Sequence, residues 1–457
     1  MKPRRHSSPP AERRGEAGRG GTGQRARPAS VALPRPAEVI VTRLGSEADG
    51  LALHPDGAPL YLPYTLPGET VRATPTHKRG DGWASTAEIL ASSPDRVAAP
   101  CRHFGTCGGC TLQHWAEPAY TAWKLGLLQA ALHRAGYPAP TIAPLQHTRP
   151  TSRRRMDLAI RRIPNGIAIG LHAQRSATIV DITECHVLHP ALVALAADLR
   201  DLLHRLGGLK REGSAVVNLL DSGPDLLLRT DAPLTTPDRT RLADFARVRG
   251  LPRITTQNGT GPIEPAAALR PATTMLSGTL VTPPPGAFLQ ASAEGEAAIV
   301  AAVLAGLPDK LPAKARIADL YAGCGTLTFA LARYARVAAY EGDAPSAVAL
   351  REAANHSGQA GRVEAYTRDL ARQPLADKEL SGFAAIVLDP PHAGAEAQVA
   401  RITASTVKRV IYVSCNPAAL ARDAALLRQA GFGLLSATPI DQFLWSARLE
   451  SVCVFSR

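Results

Sequence analysis

The sequence predicts an α/β protein whose C-terminal part is a doubly wound parallel sheet. Two observations carry this prediction. From about residue 290, apolar runs of strand length alternate regularly with helical patterns. Before residue 280, short apolar runs broken by Gly, Asp and Pro are typical of a small antiparallel barrel and then of a mixed α+β region. We therefore expect four parts: a basic tail (1–35), a barrel (36–97), a mixed central domain (98–280) and the sheet domain (281–457).

The tail, residues 1–35, holds nine Lys and Arg and two acids, and so carries seven of the thirteen net positive charges. It has few large apolar residues and we expect it to be disordered. It is either an arm that attracts nucleic acid phosphates or a solvated tail without a specific role. No run approaches the roughly 18 to 20 apolar residues of a membrane helix, and no apolar segment follows the basic N-terminus. These features predict a cytoplasmic protein.

The barrel segment spans Glu38 to Arg96 and contains the basic turn Lys78–Arg79. Nucleic acid binding and a barrel without that role both fit it. Directly after it, "CRHFGTCGGC" crowds three of the seven cysteines into ten residues. In a reducing compartment such clustering indicates a metal site rather than disulfides.

A helix is expected over 118–136, "PAYTAWKLGLLQAALHRAG", and it is a candidate to pack on the sheet domain. The charge run Arg153–Arg155 follows, just before a strand. Such a run is usually a solvated face, and phosphate contact is the alternative.

In an open α/β sheet, ligands bind at the carboxyl ends of the strands. There the sequence places Gly323 and Gly325 in "DLYAGCGTLTFALA", and Glu341 at the end of the next strand. The spacing suits a cofactor whose ribose is held by an acid, and the missing third glycine favours S-adenosylmethionine over NAD. Asp389 in "LDPPHAG" would project into the same crevice, although a plain strand-end turn fits these residues equally well.

Cys415 lies between the buried strand "RVIYVS" and a helix for which Asn416 is a good N-cap and Pro417 a good first residue. A helix start lowers the pKa of a thiol, so we expect Cys415 to be a nucleophile. Cys324 and Cys453 lie in apolar company and are expected to be packing residues. Glu450, before the last apolar strand, is either a general base or part of a surface salt bridge.

Together, "DPPHAG", "IYVSCNPAALARD" and "DQFLWSARLE" resemble the bacterial RNA uracil-5 methyltransferases, in particular the iron–sulfur ribosomal RNA branch. The resemblance covers nearly everything from Glu38 to Arg457. It implies that the barrel is an RNA-binding TRAM domain of OB-like fold, and that the sheet domain is a Rossmann-like methyltransferase domain. The motif departs from the family's common form at His392, Leu444, Trp445 and Arg448.

The resemblance also implies a mechanism. Cys415 would add to carbon 6 of a flipped-out uracil, and Glu450 would remove the carbon 5 proton after methyl transfer. It implies that S-adenosylmethionine is bound by a set of six residues, of which Gln290 and Asp389 could also touch the uracil: Gln290, Tyr321, Thr326, Glu341, Asp369 and Asp389. The family's four-cysteine motif for a 4Fe-4S cluster matches Cys101, Cys107, Cys110 and Cys185. From the residues alone, zinc remains open, with His103, His114 or His186 as further ligands.

The leading hypothesis is a monomeric enzyme, without an obligate protein partner, that makes 5-methyluridine in 23S ribosomal RNA. The same chemistry on transfer RNA is the close alternative. Two other classes are an amino-group methyltransferase that uses "DPPH" and an RNA-binding protein with a degenerate site.

Overall fold

The computed structural model describes residues 33–457. The basic-arm prediction falls almost entirely on residues 1–32, outside the described residues. No helix in the described part of the chain is long and apolar enough to cross a membrane.

The first sheet follows directly after the start of the described chain. Its core is formed by alternate apolar residues such as Val39, Leu60 and Val71. One pairing differs from the antiparallel expectation, because Pro59–Leu62 runs parallel to Gly82–Ala91, with Leu60 opposite Trp83. The two strands can run parallel because Thr70–Arg79 lies between them in sequence and forms a long antiparallel hairpin with Gly82–Ala91. The strands are Ala37–Ile40, Arg43–Leu44, Gly50–Leu53, Pro59–Leu62, Thr70–Arg79 and Gly82–Ala91.

The second sheet belongs to the central region and is mixed. Two helices, Pro190–His204 and Thr236–Arg249, cover it, and Leu192, Leu199 and Leu242 pack against its apolar face. Its strands are Arg155–Ile163, Gly166–His172, Ile179–Asp181, Glu212–Leu220, Gly223–Thr230, Arg253–Asn258 and Ile263–Ala268. A separate hairpin, Thr274–Leu276 with Thr279–Val281, leads into the third sheet.

The third sheet is the α/β layer that the sequence predicts, with helices on both faces. Within residues 33–457 it has eight strands, and five neighbouring strands in it are parallel. Side-chain alternation explains its two cores, because Ile411 and Val413 face one cluster while Val410 and Tyr412 face the other. In spatial order the strands are Val363–Thr367, Arg336–Glu341, Arg316–Leu320, Ala385–Leu388, Arg409–Ser414, Glu450–Ser456, Gly433–Asp441 and Gln146–His147. The helices are Ala293–Ala305, Thr326–Leu331, Ala344–His356, Asp377–Leu380, Glu396–Ala404 and Pro417–Gln429.

A helix from before the central sheet, Glu117–Arg134, packs on the third sheet. Its Leu128 and Leu132 share an apolar cluster with Leu420 and Leu427 of the last helix. The first turns of the helix therefore lie at the edge of the sheet where the strand Gly433–Asp441 ends and the strand Glu450–Ser456 begins.

Candidate active site

The last strand returns beside the strand that ends at the candidate nucleophile. Glu450–Ser456 pairs antiparallel with Arg409–Ser414, and Ser451 lies opposite Ser414. This register brings Glu450 next to Cys415 at the same end of the sheet. The proximity of a carboxylate and a thiol therefore comes from strand pairing between segments that are distant in sequence.

A continuous chain of hydrogen bonds joins four side chains in this crevice. Gln290 donates from Nε2 to Asp389 Oδ2 at 3.1 Å. Gln442 donates from Nε2 to Gln290 Oε1 at 2.9 Å and to Glu450 Oε2 at 2.7 Å. Its own Oε1 accepts the Ala291 N–H at 3.2 Å. Gln442 is not among the residues predicted from the sequence, and its position beside Asp441 in "DQF" is the signal that could have indicated it.

Glu450 is a buried carboxylate with one oxygen free. It is 3% exposed, and its Oε1 has no hydrogen-bond partner among the described residues. Burial and then the charge of Asp389 raise the pKa of Glu450 well above its usual value, while the Gln442 hydrogen bond lowers it. Burial also raises the pKa of Asp389 to about 7, and the Gln290 hydrogen bond opposes this. The crevice thus holds two buried carboxyl groups whose pKa values are both raised, so each keeps its proton to higher pH than an exposed carboxyl group would.

The pKa expected for Cys415 is wrong in direction. Burial, followed by the charges of Glu450 and Asp389, raises the pKa of the Cys415 thiol to about 11. The start of the helix does not offset the raised pKa, because few of its N–H groups are free. Pro417 has no N–H, and the Ala418 N–H already donates to the side chain of Asn416 at 3.0 Å. The cap itself is as predicted.

His392 supports the loop around the candidate nucleophile, Cys415. Asn416 Nδ2 donates to the backbone carbonyl of His392 at 2.9 Å and lies 2.8 Å from its ring Nδ1. The two loops that carry Asp389 and Cys415 are therefore tied together one or a few residues beyond them.

The glycine turn and the acid of the next strand form a second part of the crevice. Glu341 accepts the Gly323 N–H at 2.7 Å through Oε2 and the Asp343 N–H at 2.7 Å through Oε1. Gly323 has φ of +56°, and a Cβ added there would meet no atom within 4 Å. Open space thus lies over the turn, as close approach of a ligand requires.

Asp319 is an acidic residue of this region that the sequence analysis did not single out. It is fully buried beneath the glycine turn and accepts the Thr328 hydroxyl at 2.5 Å. Burial and the charges of Asp389 and Glu341 raise its pKa to about 7. Its place just before "LYAGCG" is the available sequence signal.

Three further residues expected around the methyl donor lie on the same edge. Tyr321 directly follows the strand Arg316–Leu320 and has φ of +65°, while Thr326 begins the short helix after the turn. Asp369 follows Val363–Thr367 and accepts the Ala371 N–H at 3.0 Å. Gln290 reaches this edge from the segment before the helix Ala293–Ala305.

A buried ion pair holds the loop that precedes Glu450. Lys124 Nζ lies 2.8 Å from Asp441 Oδ1, both side chains are fully buried, and Lys124 also donates to the backbone carbonyl of Arg448. Tyr120 donates to Asp441 Oδ2 at 2.5 Å and accepts the Trp445 N–H at 3.0 Å. The helix Glu117–Arg134 therefore fixes both ends and the middle of this loop.

The four cysteines expected as cluster ligands line one cavity of about 330 Å³. Burial raises the pKa of Cys110 to about 12, and charge on the other three thiols acts in the same direction. Within residues 33–457, no group of three or more His, Cys, Asp or Glu side chains is arranged to hold a metal ion. The far wall of the cavity is the loop before Glu450, since Phe443, Leu444, Ser446 and Arg448 also line it.

The histidines considered for zinc differ in their surroundings. The ring Nε2 of His103 lies 3.2 Å from the Thr183 hydroxyl. Burial lowers the pKa of His114 to about 4, and this side chain is 2% exposed. His186 Nε2 lies 3.8 Å from Glu184.

The arginine run is not a solvated face. Arg154 pairs with Glu296 at 2.5 Å and donates from Nε to the backbone carbonyl of Gln290 at 3.1 Å. Arg153 lines the cysteine cavity. The run thus connects the central sheet to the crevice through Arg154 and to the cysteine cavity through Arg153.

The chain is similar in sequence to known RNA methyltransferases. The family model for tRNA (uracil-5-)-methyltransferases matches residues 286–457. An uncharacterised RNA methyltransferase of Caulobacter vibrioides is 39% identical over 429 residues, covering 92% of this chain and 100% of the relative. The 23S rRNA (uracil(1939)-C(5))-methyltransferase RlmD of Alkalilimnicola ehrlichii is 35% identical over 444 residues, covering 93% and 98%.

Among solved structures, the tRNA (uracil-54, C5)-methyltransferase of Pyrococcus abyssi, in complex with S-adenosyl-L-homocysteine, has the same fold. It matches with a TM-score of 0.68 at 18% identity, covering 92% of this chain and 100% of that one. The fold is therefore that of an α/β methyltransferase. Since relatives above 30% identity match along almost their whole length, the chain belongs to the RNA (uracil-5-)-methyltransferase family, and it is an S-adenosylmethionine-dependent enzyme of that family.

Proposed function

We propose that this enzyme makes 5-methyluridine in 23S ribosomal RNA through a covalent bond between Cys415 and carbon 6 of uracil. The observation that carries the proposal is the shared crevice of Cys415, Glu450 and Asp389, with one Glu450 oxygen free. The ribosomal substrate is supported by the named function of the Alkalilimnicola relative over almost the whole chain. Transfer RNA is the second candidate, favoured by the family model and by the fold match.

The proposed reaction has three steps. The thiolate of Cys415 forms a bond to carbon 6, and the ring electrons shift toward the carbon 4 oxygen to give an enolate. Carbon 5 of the enolate then takes the methyl group, which S-adenosylmethionine supplies as it leaves as the thioether. Finally Glu450 Oε1 takes the carbon 5 proton, the ring double bond re-forms and the thiolate departs.

The methyl donor would be held at the glycine turn. Glu341 is placed at the end of the strand next to the turn, where an acid can hold a ribose, and the space over Gly323 admits a ligand. Tyr321, Thr326 and Asp369 lie along the same edge, and Gln290 with Asp389 would stand between methyl donor and uracil.

We also propose that Cys101, Cys107, Cys110 and Cys185 hold a 4Fe-4S cluster. The residue types suit this group, because four thiols line a single cavity and such clusters are held by Cys thiolates, although in the described residues these thiols are not drawn together as ligands. The cluster would support structure, since methyl transfer involves no electron transfer. Zinc remains the alternative occupant.

Binding of the RNA would involve regions outside the catalytic domain, in particular the first sheet. We propose that residues 36–97 form a TRAM barrel, 98–280 the domain with the cluster and 281–457 the catalytic domain, in a monomer that works in the cytoplasm. The target base must leave its stack to enter the crevice.

A methylation assay tests the substrate and product. Full-length protein would be incubated with labelled S-adenosylmethionine and either 23S ribosomal RNA or transfer RNA, and the nucleosides separated by mass spectrometry. We expect 5-methyluridine in ribosomal RNA, and none with Cys415→Ala. Label in transfer RNA alone would favour the second candidate, whereas a methylated amino group that persists in Cys415→Ala would overturn the proposal.

Metal analysis of protein purified without oxygen tests the cysteine cavity. We expect iron and sulfide with broad absorbance near the violet, all lost in Cys185→Ser. Cys324→Ser is the matched control, because Cys324 is buried elsewhere. Zinc in place of iron would contradict the cluster assignment.

A further inference from the structure

We propose that Gln442 is a positioning residue that holds Gln290 and Glu450 in their working orientations through a single amide. This inference rests on the proposed function and names a residue for it that the family motif does not assign.

Every polar atom of the Gln442 amide makes a hydrogen bond. Both hydrogens of Nε2 are used, one on Gln290 Oε1 at 2.9 Å and one on Glu450 Oε2 at 2.7 Å, and Oε1 accepts the Ala291 N–H at 3.2 Å. A flipped amide would set oxygen against the Glu450 carboxylate and N–H against N–H. The orientation of Gln442 is thus determined by its three partners.

The orientation of Gln442 in turn determines the orientations of Gln290 and Glu450. Gln290 must present Oε1 to Gln442, so its Nε2 points to Asp389 at 3.1 Å. Glu450 has Oε2 occupied by Gln442 and Oε1 without a partner among the described residues. Gln442 therefore selects which carboxylate oxygen remains to take a proton.

The packing around Gln442 leaves no room for another position. Gln442 is 4% exposed. A Cβ added to Gly295, in the first turn of the helix Ala293–Ala305, would lie 2.8 Å from Gln442 Cβ and 3.0 Å from its Oε1. The glycine thus makes space for the amide, and Gly295→Ala is a way to displace it without touching it directly.

The charged groups around Glu450 set the expected pH effect. Asp389 faces it from the end of the strand Ala385–Leu388, and Cys415 from the end of Arg409–Ser414, with Arg448 near that thiol in the preceding loop. Gln442 is the neighbour that lowers the pKa of Glu450. Without it, Glu450 would be ionised only at higher pH.

The test separates proton removal from adduct formation. With ordinary RNA we measure turnover against pH; with 5-fluorouridine RNA we measure the covalent adduct, whose formation requires no carbon 5 proton to leave. For Gln442→Met we expect turnover to fall about 10- to 100-fold near neutral pH, the worth of a hydrogen bond to a charged group. The acid limb of the profile should move up by about one to two pH units, so that activity partly recovers at high pH.

Adduct formation should fall less than turnover in Gln442→Met, because only turnover needs Glu450 to take the carbon 5 proton, and Gly295→Ala should show the same separation while favouring its helix. Gln398→Met is the matched control, because Gln398 is also buried and hydrogen-bonded, but to the backbone of Leu375 in the segment before the helix Asp377–Leu380. Equal losses of turnover and adduct, or an unmoved acid limb, would overturn the role of Gln442. If the wild type itself forms no adduct, the proposed function fails, which is a distinct result.

Discussion

Two negative charges beside a thiol control the chemistry at the scale of single residues. Burial is the largest cause of the raised pKa values of Cys415 and Glu450; the charges of Glu450 and Asp389 add to it at Cys415, and the charge of Asp389 adds to it at Glu450. A raised pKa keeps each group protonated to higher pH, whereas the proposed nucleophile, Cys415, and the proposed base, Glu450, would both act in their deprotonated forms. We therefore expect activity to rise with pH through the neutral range rather than to peak in acid.

The first prediction concerns the thiol itself. Glu450→Gln removes one neighbouring charge and should lower the pKa of Cys415, so that alkylation by iodoacetamide begins at lower pH. The rate would be followed by mass spectrometry of the peptide that contains Cys415. Glu364→Gln, at an exposed strand position, is the control and should leave the rate unchanged. An unaltered pH dependence in Glu450→Gln would contradict the electrostatic coupling.

The second prediction concerns the last chemical step. With ordinary RNA and S-adenosylmethionine, Glu450→Gln should accumulate a denaturant-stable protein–RNA adduct, because the carbon 5 proton has no acceptor and the thiolate cannot leave. Gel mobility under denaturing conditions measures this directly. Turnover that continues without an adduct would exclude Glu450 as the base.

The sequence predicted many residues of the crevice but not how they interact. Cys415, Asp389 and Glu450 follow or begin apolar strands, which is a local signal, and the structure brings them to one edge. Gln442 and Asp319 gave no comparable signal, because the importance of an amide or a buried acid depends on partners that only the fold supplies. The direction of the Cys415 pKa was wrong for the same reason.

At the scale of elements, the helix Glu117–Arg134 holds the loop before Glu450 through a fully buried ion pair. Lys124 neutralises Asp441 and also binds backbone carbonyls at Phe443 and Arg448. Losing one partner of a buried pair leaves the other charge without compensation, which costs far more than replacing both.

The third prediction follows from that asymmetry. Lys124→Met should lower the free energy of unfolding by about 3–5 kcal/mol, measured by denaturant titration. The double variant Lys124→Met/Asp441→Leu should regain part of this loss. Turnover should stay low in both, because the carbonyls of the loop have lost their donor. A double variant with normal turnover would show that Lys124 does not position the loop.

Secondary structure was the most predictable feature of the elements. The β-branched run before Cys415 forms a buried strand, and Asn416 caps the next helix as expected. The parallel pairing in the first sheet and the internal ion pair of Arg154 with Glu296 were not foreseen. Both join segments that are far apart in sequence, and local patterns carry no information about such pairs.

At the scale of the whole molecule, the cysteine loop and the active-site loop are directly joined. The N–H groups of Thr111 and Leu112, just after Cys110, donate to the Trp445 carbonyl at 2.8 and 3.0 Å. Trp445 has φ of +56°, a strained value for a residue other than glycine that such contacts must hold in place. Disorder in the segment that contains Cys101, Cys107 and Cys110 should therefore disturb the loop before Glu450 and the position of Glu450 itself.

The fourth prediction concerns the uneven charge. Removing residues 1–32 takes away more than a third of the net positive charge of +13. If the tail contacts phosphates, RNA affinity of the truncated protein should depend less steeply on salt concentration, as measured by fluorescence anisotropy. S-adenosylmethionine binding is the control and should not change. An identical salt dependence would favour a tail without a role in binding.

The central claim is the covalent bond between Cys415 and uracil, and trapping tests it most directly. The protein would be incubated with S-adenosylmethionine and ribosomal RNA that contains 5-fluorouridine, whose fluorine cannot leave as a proton. The account predicts a denaturant-stable adduct that mass spectrometry locates at Cys415 and that Cys415→Ala does not form. Methylation of ordinary RNA without any such adduct, or an adduct at another residue, would contradict it.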